Sequence, residues 1–416
     1  MKIQIKVKKK NVLTDSLYAL FVVFYLIALL VWGMGSSLSQ IRYYILMAAT
    51  VVAGVDLILR KNKLCYGKNM LLVIPLGVLF LLLSMQRASE AHHEILFRTY
   101  VQISLVVLPA LYALFLINLL KVSSLIKLMQ LTLICTVIVY FMEPGHGILD
   151  FVNVGNWAKI SVIHSNSFTE SDICSEVFFN LFVFFNFYKN AKGKEIDSKS
   201  ARLCYEISLI FTILCFKRLA MLFVICIAVL DKVIDWRGQI SKYLVPLLSI
   251  LFTAATVLYT EFMKGDLFPG FDVYNFTTGR DYILSLWEKI DYISYGYGSS
   301  MVLIGRYLEM DLVQIYMELN ILALFAFAFV FFKIAGTNVY SVVTMTYAFL
   351  NMLTASSLPG SLSWVIAFMT IASVSSDKCL REQIYISEQK SRMKKMFSKK
   401  KGGKRIVQAS VSYHST

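Results

Sequence analysis

Long apolar runs alternate with short polar segments along nearly the whole chain, and this is its dominant pattern. A transmembrane helix needs about 20 apolar residues to cross the hydrocarbon core. The runs are solid, without the strict alternation of apolar and polar positions that a membrane β-barrel requires. They predict an all-α, polytopic membrane helix bundle with about twelve spans. The runs cover residues 13–33, 43–59, 70–84, 100–120, 125–142, 173–188, 203–216, 219–230, 243–260, 311–332, 339–358 and 361–376.

The composition supports the membrane class. Hydrophobic residues make up 57% of the 416 residues and charged residues only 16%, and the mean hydropathy is +0.65. Ordinary soluble domains carry about 25% charged residues. We therefore predict one transmembrane bundle over residues 1–376 and a basic tail over residues 377–416, without a separate soluble domain.

Lysine and arginine are distributed unevenly between the predicted loops. With the amino terminus inside, the inside segments hold 31 of the 41 basic residues, and the outside segments hold 10 basic against 14 acidic residues. This positive-inside bias predicts that both termini are cytoplasmic. Joining the runs 203–216 and 219–230 would reverse the side of the next loop, so we keep them separate. The net charge of +15 thus reflects topology, and we expect the basic tail to be solvated rather than bound to nucleic acid.

The spacing of cysteine and histidine residues does not indicate a bound metal or cofactor. The seven cysteines form no CxxC pair, and the histidines lack metal-ligand spacing. We predict no cofactor and no metal site, while leaving the participation of a divalent metal open. The first apolar run is about 20 residues long, and no small-residue cleavage site follows it, so we expect no cleavable signal peptide.

Two predicted outside loops are long, residues 143–172 and 261–310, and both emerge on the same side. The second loop contains TTGRDYILSLWEKI, whose apolar residues follow i, i+3, i+4, i+7 spacing. This segment predicts an amphipathic helix that lies along the outer interface or over the mouth of the bundle. Its apolar face consists of Ile283, Leu286, Trp287 and Ile290.

Charged side chains in and beside these loops predict a cavity that faces outward. Arginine binds phosphate oxygens through paired hydrogen bonds, and a helix amino terminus such as that at Arg280 also attracts anions. Carboxylates can deprotonate a sugar hydroxyl or hold a metal. The candidate cations are Lys217, Arg218, Arg280 and Arg306, and the candidate carboxylates are Glu170, Asp172, Glu309 and Asp311.

Each candidate also has a structural interpretation. Arg280 could serve only to anchor its helix to lipid headgroups, and Arg218 could serve only to set the membrane topology. Asp311 could cap the helix that it begins. His164 fits a surface histidine. Glu318 lies about 10 Å inside the tenth run by the helical rise, where an ionised carboxylate costs roughly 2.5 kcal/mol or more. We expect it to be a buried structural partner of an arginine or lysine.

The order of short motifs in the second half of the chain resembles the Wzy-type O-antigen and capsular polysaccharide polymerases, which are relatives of the O-antigen ligases. TGRDYILSLW in the long outside loop is followed by GYGS and then by LEMDLVQIYMELNIL at the head of the next span. SFTESDICSE resembles an F-x-E-P-S stretch of these polymerases, and CFKRLAML resembles their arginine site. The resemblance covers about residues 163–324.

The chain departs from the family pattern at four positions. Glu309 and Met310 stand where a histidine and an asparagine are usual, Asn320 replaces a glycine, and Ser171 replaces a proline. A mechanism with a histidine base therefore does not carry over to this chain.

The resemblance implies transfer of a growing glycan from undecaprenyl pyrophosphate to a lipid-linked repeat unit, at the outer face of the bacterial cytoplasmic membrane. The implied partners are this lipid-linked oligosaccharide and membrane lipids, and a chain-length regulator protein is a further candidate. Implied pyrophosphate contacts are Arg218 and Arg280, with Lys217 and Arg306 beside them. Implied bases are Glu309, Asp311 and Glu170, and contacts to sugar or prenyl chain are Trp287, Tyr297 and His164.

Two other functions stay open at this stage. A lipid-linked oligosaccharide flippase also has about a dozen spans and a basic cavity, but we find no internal repeat that relates residues 1–208 to residues 209–416. An O-antigen ligase would use the same chemistry with lipid A core as the acceptor, and the missing histidine argues against it.

Overall fold

The computed structural model describes eight segments of the chain, and within them the fold is helical apart from one isolated backbone bridge between Gln239 and Asn338. The predicted all-α class is confirmed. The described segments are residues 15–28, 41–60, 64–142, 172–190, 198–265, 280–289, 292–305 and 308–376. Their α-helices are α1 (Asp15–Ala28), α2 (Ile41–Leu59), α3 (Val73–Glu90), α4 (Phe97–Leu119), α5 (Val122–Met142), α6 (Asp172–Asn190), α7 (Ser198–Leu214), α8 (Arg218–Val233), α9 (Leu244–Met263), α10 (Arg280–Lys289), α11 (Ser299–Ile304), α12 (Asp311–Glu318), α13 (Ile321–Ala335), α14 (Val339–Thr354) and α15 (Ser361–Ser375).

Six helical segments in the described part of the chain are long and apolar enough to cross a membrane. They are α2, α4, α5 and α9, together with α3 and α15, each extended by the short 3-10 turn that precedes it. Helices α1, α13 and α14 are apolar but shorter. The chain is thus a helical, membrane-embedded protein, while twelve crossings and their orientation stay predictions.

The predicted tenth span, residues 311–332, is not one helix. Helix α12 ends at Glu318, and α13 begins at Ile321. Asn320 makes the break, because its side-chain oxygen accepts a hydrogen bond from the Ala323 N–H and so caps α13. The carbonyl of Leu319, which the break exposes, accepts a hydrogen bond from Arg87 Nε at 3.0 Å. A broken helix persists in an apolar bundle only where such groups find partners.

The two short apolar runs on either side of Lys217 form two separate helices, α7 and α8. Only three residues join them, and Phe216 turns the chain with a φ of 54°. The predicted tight hairpin is therefore confirmed.

The centre of the bundle is formed by α6 and α15. All side chains at positions 174–188 and 361–374 are buried. Helix α15 packs on α4, α6 and α14, and α6 packs on α5 and α7. Peripheral helices leave apolar faces open, as α2 does with Val51, Val55 and Ile58. Such open apolar faces are suited to lipid contact.

Hydrogen bonds between helix termini show how the helices alternate in direction. At one end of the bundle, Tyr140 OH near the end of α5 donates to the Leu214 carbonyl at the end of α7. At the same end, Asp311 at the start of α12 accepts from the Leu358 N–H just before α15. We call this end, which carries the segments predicted to face outward, the site end.

The opposite end of the bundle holds the segments predicted to be cytoplasmic. There Asn338 Nδ2 donates to the Trp236 carbonyl at 2.7 Å, and Asn186 Nδ2 donates to Asp231 Oδ2 at 2.6 Å. Segments predicted to share one side of the membrane thus meet at one end of the bundle.

Candidate functional site

Glu318 organises the loop that carries the GYGS motif. Its side chain is completely buried, and its carboxylate accepts from Gly298 N–H at 2.6 Å, Ser300 N–H at 3.0 Å and Gln314 Nε2 at 3.0 Å. The Ser300 hydroxyl donates to the same carboxylate. We expected a lysine or arginine as its main partner. The bonds instead come from loop N–H groups and neutral side chains, because α12 is short and its last turn faces the loop.

Two glycines allow this loop to approach the helices closely. Gly296 and Gly298 have φ of 112° and 90°, in the region that disfavours side chains. A Cβ at Gly296 would lie 2.7 Å from Ser84 Cβ, and one at Gly298 would lie 2.8 Å from Gln102 Cγ. The loop is therefore pressed against the end of α3 and the start of α4.

Tyr297 points from this loop into the core. It is 1% exposed, and its ring meets that of Phe80 edge-on with centroids 5.3 Å apart. Burial raises the pKa of the Tyr297 phenol well above its ordinary value. The side chain of Tyr297, a candidate sugar contact, is therefore part of the packed core.

The predicted amphipathic helix is present as α10, and it packs on α9. Leu284 and Trp287 are buried in a small apolar cluster with Met263 and Met310, and Tyr292 lies beside the Trp287 ring with centroids 4.4 Å apart. Trp287, a candidate for sugar or prenyl contact, thus anchors α10 to the bundle.

The basic residues predicted from sequence lie on different helices. Arg218 is exposed in the first turn of α8, which packs on α6, α7 and α14, and Lys217 before it is buried. Arg280 is half-buried at the start of α10 and lies in electrostatic range of Tyr259. The described contacts therefore do not join Arg218 to Arg280. Arg306 lies outside the described residues.

The candidate bases differ in environment. Asp311 is buried, and its Oδ2 accepts from the Ser357 N–H at 2.6 Å and the Leu358 N–H at 2.8 Å. Asp311 therefore caps the turn before α15. It does not occupy the N-cap position of α12, because that position belongs to Met310. Glu309 is exposed, with a φ of 55° that is uncommon for a residue with a side chain.

Three further sequence candidates fall where the structure supplies no side-chain description. Glu170 and His164 lie outside the described residues, and the Asp172 backbone begins α6.

The structure brings together two arginines that the sequence analysis did not single out. Arg42, at the start of α2, is 4% exposed, and its Nη2 donates to Tyr43 OH at 2.7 Å. Arg98 lies at the start of α4. With the Gln102 amide turned over so that its oxygen faces Arg98, this oxygen accepts hydrogen bonds from Arg98 Nε at 3.2 Å and Nη2 at 3.1 Å. Arg98 lies in electrostatic range of Arg42, Tyr43 and Glu318.

Two guanidinium groups in a largely buried place create a local positive potential, which suits the binding of an anion. The Glu318 carboxylate lies in electrostatic range of Arg98, and four hydrogen bonds engage this carboxylate. Gly298 of the GYGS loop packs directly on Arg98, with its Cβ position 3.2 Å from Arg98 Cγ. We call Arg42 and Arg98 the arginine pair.

A small apolar crevice lies near the arginine pair. Arg42, Leu46 and Ala49 share one face of α2 by their i, i+4, i+7 spacing. Leu46 and Ala49 line the crevice, and Leu46 lies about 6 Å along the helix from Arg42. Tyr25 lines the crevice as well, in electrostatic range of Arg42. The lining residues are Phe21, Val22, Tyr25, Ile45, Leu46, Ala49, Tyr112, Leu362 and Val365.

No group of three or more His, Cys, Asp or Glu residues in the described part of the chain is placed to hold a metal ion. In comparisons with protein-family models, curated proteins and solved structures, nothing matched this chain.

Proposed function

We propose that this protein is a Wzy-type polysaccharide polymerase that acts on undecaprenyl-pyrophosphate-linked glycans at the outer face of a bacterial cytoplasmic membrane. The observation that carries the proposal is the arginine pair at the polar end of an apolar crevice, beside the GYGS loop. The substrate is an amphiphile with an anionic pyrophosphate and an apolar prenyl chain. Guanidinium groups suit the pyrophosphate, and the crevice suits the first part of the prenyl chain.

The proposed chemistry is glycosyl transfer. The bond between the anomeric carbon of the growing glycan and the pyrophosphate oxygen breaks, and that oxygen leaves with the electron pair. A hydroxyl of the incoming lipid-linked repeat unit forms the new glycosidic bond. Arg42 and Arg98 stabilise the charge that develops on the leaving pyrophosphate. Arg218, Arg280, Lys217 and Arg306 are proposed as outer cations that attract the same anion.

The proton of the acceptor hydroxyl needs a base. Among the described candidates, Glu309 suits this role best, because it is exposed on the loop that leads into α12. Its left-handed backbone is the kind of strain that is common at functional positions. Asp311 suits the role less well, since its oxygens already hold the turn before α15. Glu170 remains a further candidate.

The packing of the bundle supports an enzyme over a flippase. A flippase needs a polar path along its centre, whereas α6 fills the centre here with buried aromatic residues, among them Phe178, Phe182 and Phe185. An O-antigen ligase would use the same donor site, so the acceptor decides between the ligase and the polymerase.

The test is polymerisation by the purified protein in bilayers, with a lipid-linked repeat unit as the only substrate and product length read on gels. We expect long products from the natural protein. Each of Arg42→Ala and Arg98→Ala should lower the rate about 10- to 100-fold, the range for loss of a charge-assisted hydrogen bond. Lysine at either position should restore only part of the rate, because it lacks the planar fork.

Arg202→Ala is the matched control, since Arg202 is an exposed arginine at the opposite end of the bundle, paired with Glu206. Arg218→Ala and Arg280→Ala in the same assay test the outer cations. Single repeat units without any longer product would refute the polymerase. Full activity of both Arg42→Ala and Arg98→Ala would refute the donor site.

A further inference from the structure

Two aromatic rings meet at the site end, between the turn after α3 and the loop that carries the GYGS motif. The His93 ring stacks on the Tyr295 ring, with centroids 4.0 Å apart and planes 28° apart. His93 is exposed and Tyr295 is half-buried, so part of this ring surface is open to solvent. We call the two rings the aromatic platform.

Hydrogen bonds fix the backbone at both rings. His92 turns the chain after α3 with a φ of 53°, and the His93 N–H donates to the Ala88 carbonyl at 2.9 Å. The Tyr295 N–H donates to the Ser299 hydroxyl at 3.2 Å. A surface that is ordered before its ligand arrives loses little conformational entropy on binding. The aromatic platform is therefore preorganised.

A carboxylate lies in the same turn as His93. Glu90 is the last residue of α3, and its side chain is 50% exposed. Gln86 Nε2 donates to one of its oxygens at 2.8 Å, and Arg87 Nη1 donates to the other at 3.3 Å. Because a carboxylate has about four acceptor positions, Glu90 can accept further hydrogen bonds from a ligand.

The aromatic platform also lies close to the proposed donor site. Tyr295 is three residues before Gly298, whose Cβ position is 3.2 Å from Arg98 Cγ. Three residues of extended chain span at most about 11 Å, which is the scale of a disaccharide. A glycan whose pyrophosphate lies at the arginine pair can therefore reach the platform.

The chemistry of these groups suits a sugar ring. The face of an aromatic ring is negative, because its π electrons form a quadrupole. A pyranose ring presents C–H groups with weakly positive hydrogens on its face and hydroxyl donors at its edge. The face can pack on an aromatic ring while the hydroxyls donate to a carboxylate. A lipid acyl chain could contact the rings, but it offers no donor to Glu90.

We propose that the aromatic platform binds a sugar residue of the donor glycan, the glycan whose pyrophosphate contacts the arginine pair, and that Glu90 accepts hydrogen bonds from its hydroxyl groups. This inference rests on the proposed function and adds a sugar subsite to it. Trp287 and Tyr297, the aromatic sugar contacts that the resemblance implied, are at most 2% exposed. The accessible platform is better placed for this role.

The experiment compares the binding of two lipids to the purified full chain in detergent. One is a lipid-linked repeat unit, and the other is undecaprenyl pyrophosphate, which carries no sugar. Tyr295→Ala should weaken binding of the repeat unit about three- to tenfold, the range for loss of an aromatic contact. It should leave binding of undecaprenyl pyrophosphate unchanged. His93→Ala and Glu90→Gln should likewise weaken binding of the repeat unit alone.

Two variants serve as controls. Tyr295→Phe keeps the ring and should bind both lipids as the natural protein does. Tyr243→Ala removes an exposed tyrosine just before α9, at the opposite end of the bundle, and should also bind both lipids normally.

Two results would overturn the inference. Equal weakening of both lipids by Tyr295→Ala would assign the ring to packing of the loop or to lipid contact. Undiminished binding of the repeat unit by both His93→Ala and Tyr295→Ala would place the sugar elsewhere. A failure of the proposed function has a different signature, because the natural protein would then not bind undecaprenyl pyrophosphate, and the inference would fall with the donor site.

Discussion

Two buried carboxylates at the site end accept hydrogen bonds from backbone N–H groups. Glu318 binds two loop N–H groups, and Asp311 binds two N–H groups before α15. The sequence identified Glu318 as exceptional, because charge inside an apolar run is costly, and Asp311 as a candidate base or helix cap. It did not identify their partners. Arg42 and Arg98 are two of only ten basic residues in the segments predicted to lie outside. The small number of basic residues on that side is the sequence feature that could have identified them.

Replacement of Glu318 tests its role in holding the loop. Glu318→Ala leaves the N–H groups of Gly298 and Ser300 without their acceptor, and we expect a loss of about 2–4 kcal/mol in stability. Glu318→Gln keeps one acceptor oxygen and should lose less. Thermal unfolding in detergent measures both variants.

The control for this prediction is Glu206→Ala, which removes an exposed carboxylate paired with Arg202. We expect it to change stability by less than about 1 kcal/mol. Equal melting temperatures for Glu318→Ala and Glu206→Ala would show that the loop does not depend on the buried carboxylate.

At the scale of secondary-structure elements, the apolar run 311–332 is divided into two helices, α12 and α13. Hydropathy could not reveal this break, since Leu319 and Ile321 on either side of Asn320 are as apolar as the rest of the run. The break lets α12 end beside the GYGS loop, and the loop in turn contacts Arg98 through Gly298. Helices α3, α4 and α12 thus meet through one short segment.

Gly298→Ala tests whether close contact of this loop matters for activity. The new methyl group would meet Gln102 and Arg98, and the left-handed backbone adds about 1–2 kcal/mol of strain. We expect polymerisation to fall because Arg98 is displaced. Gly305→Ala is a close control, with a φ of 72° and nothing within 4 Å of its Cβ position. Gly305→Ala therefore introduces the same kind of backbone strain but no steric clash with a neighbouring residue. Equal activity of the two variants would contradict a role for the contact.

At the scale of the whole molecule, described loop residues that charge placement assigns to opposite sides of the membrane lie at opposite ends of the bundle. The site end holds Asp311 and Glu309, and the opposite end holds Trp236 and Gln239. Which end faces outward is a prediction from the lysine and arginine distribution alone.

Single-cysteine labelling tests this orientation. In a chain whose seven cysteines are replaced by serine, Glu309→Cys should react with a membrane-impermeant maleimide in intact cells. Gln239→Cys, exposed at the opposite end, should react only after permeabilisation. The reverse pattern would place the arginine pair in the cytoplasm, and the proposed function would then be wrong.

The sequence by itself determined the features that depend on local composition. Apolar runs of sufficient length must leave water, so the all-helical membrane class, the α7–α8 hairpin and the amphipathic α10 could be predicted. Tertiary structure alone decided the site. Arg87 and Leu319, which share a hydrogen bond, are 232 positions apart, and Arg42 comes into electrostatic range of Arg98 because α2 packs against α4. Such convergence depends on how helix faces interlock, and no local pattern encodes which faces meet.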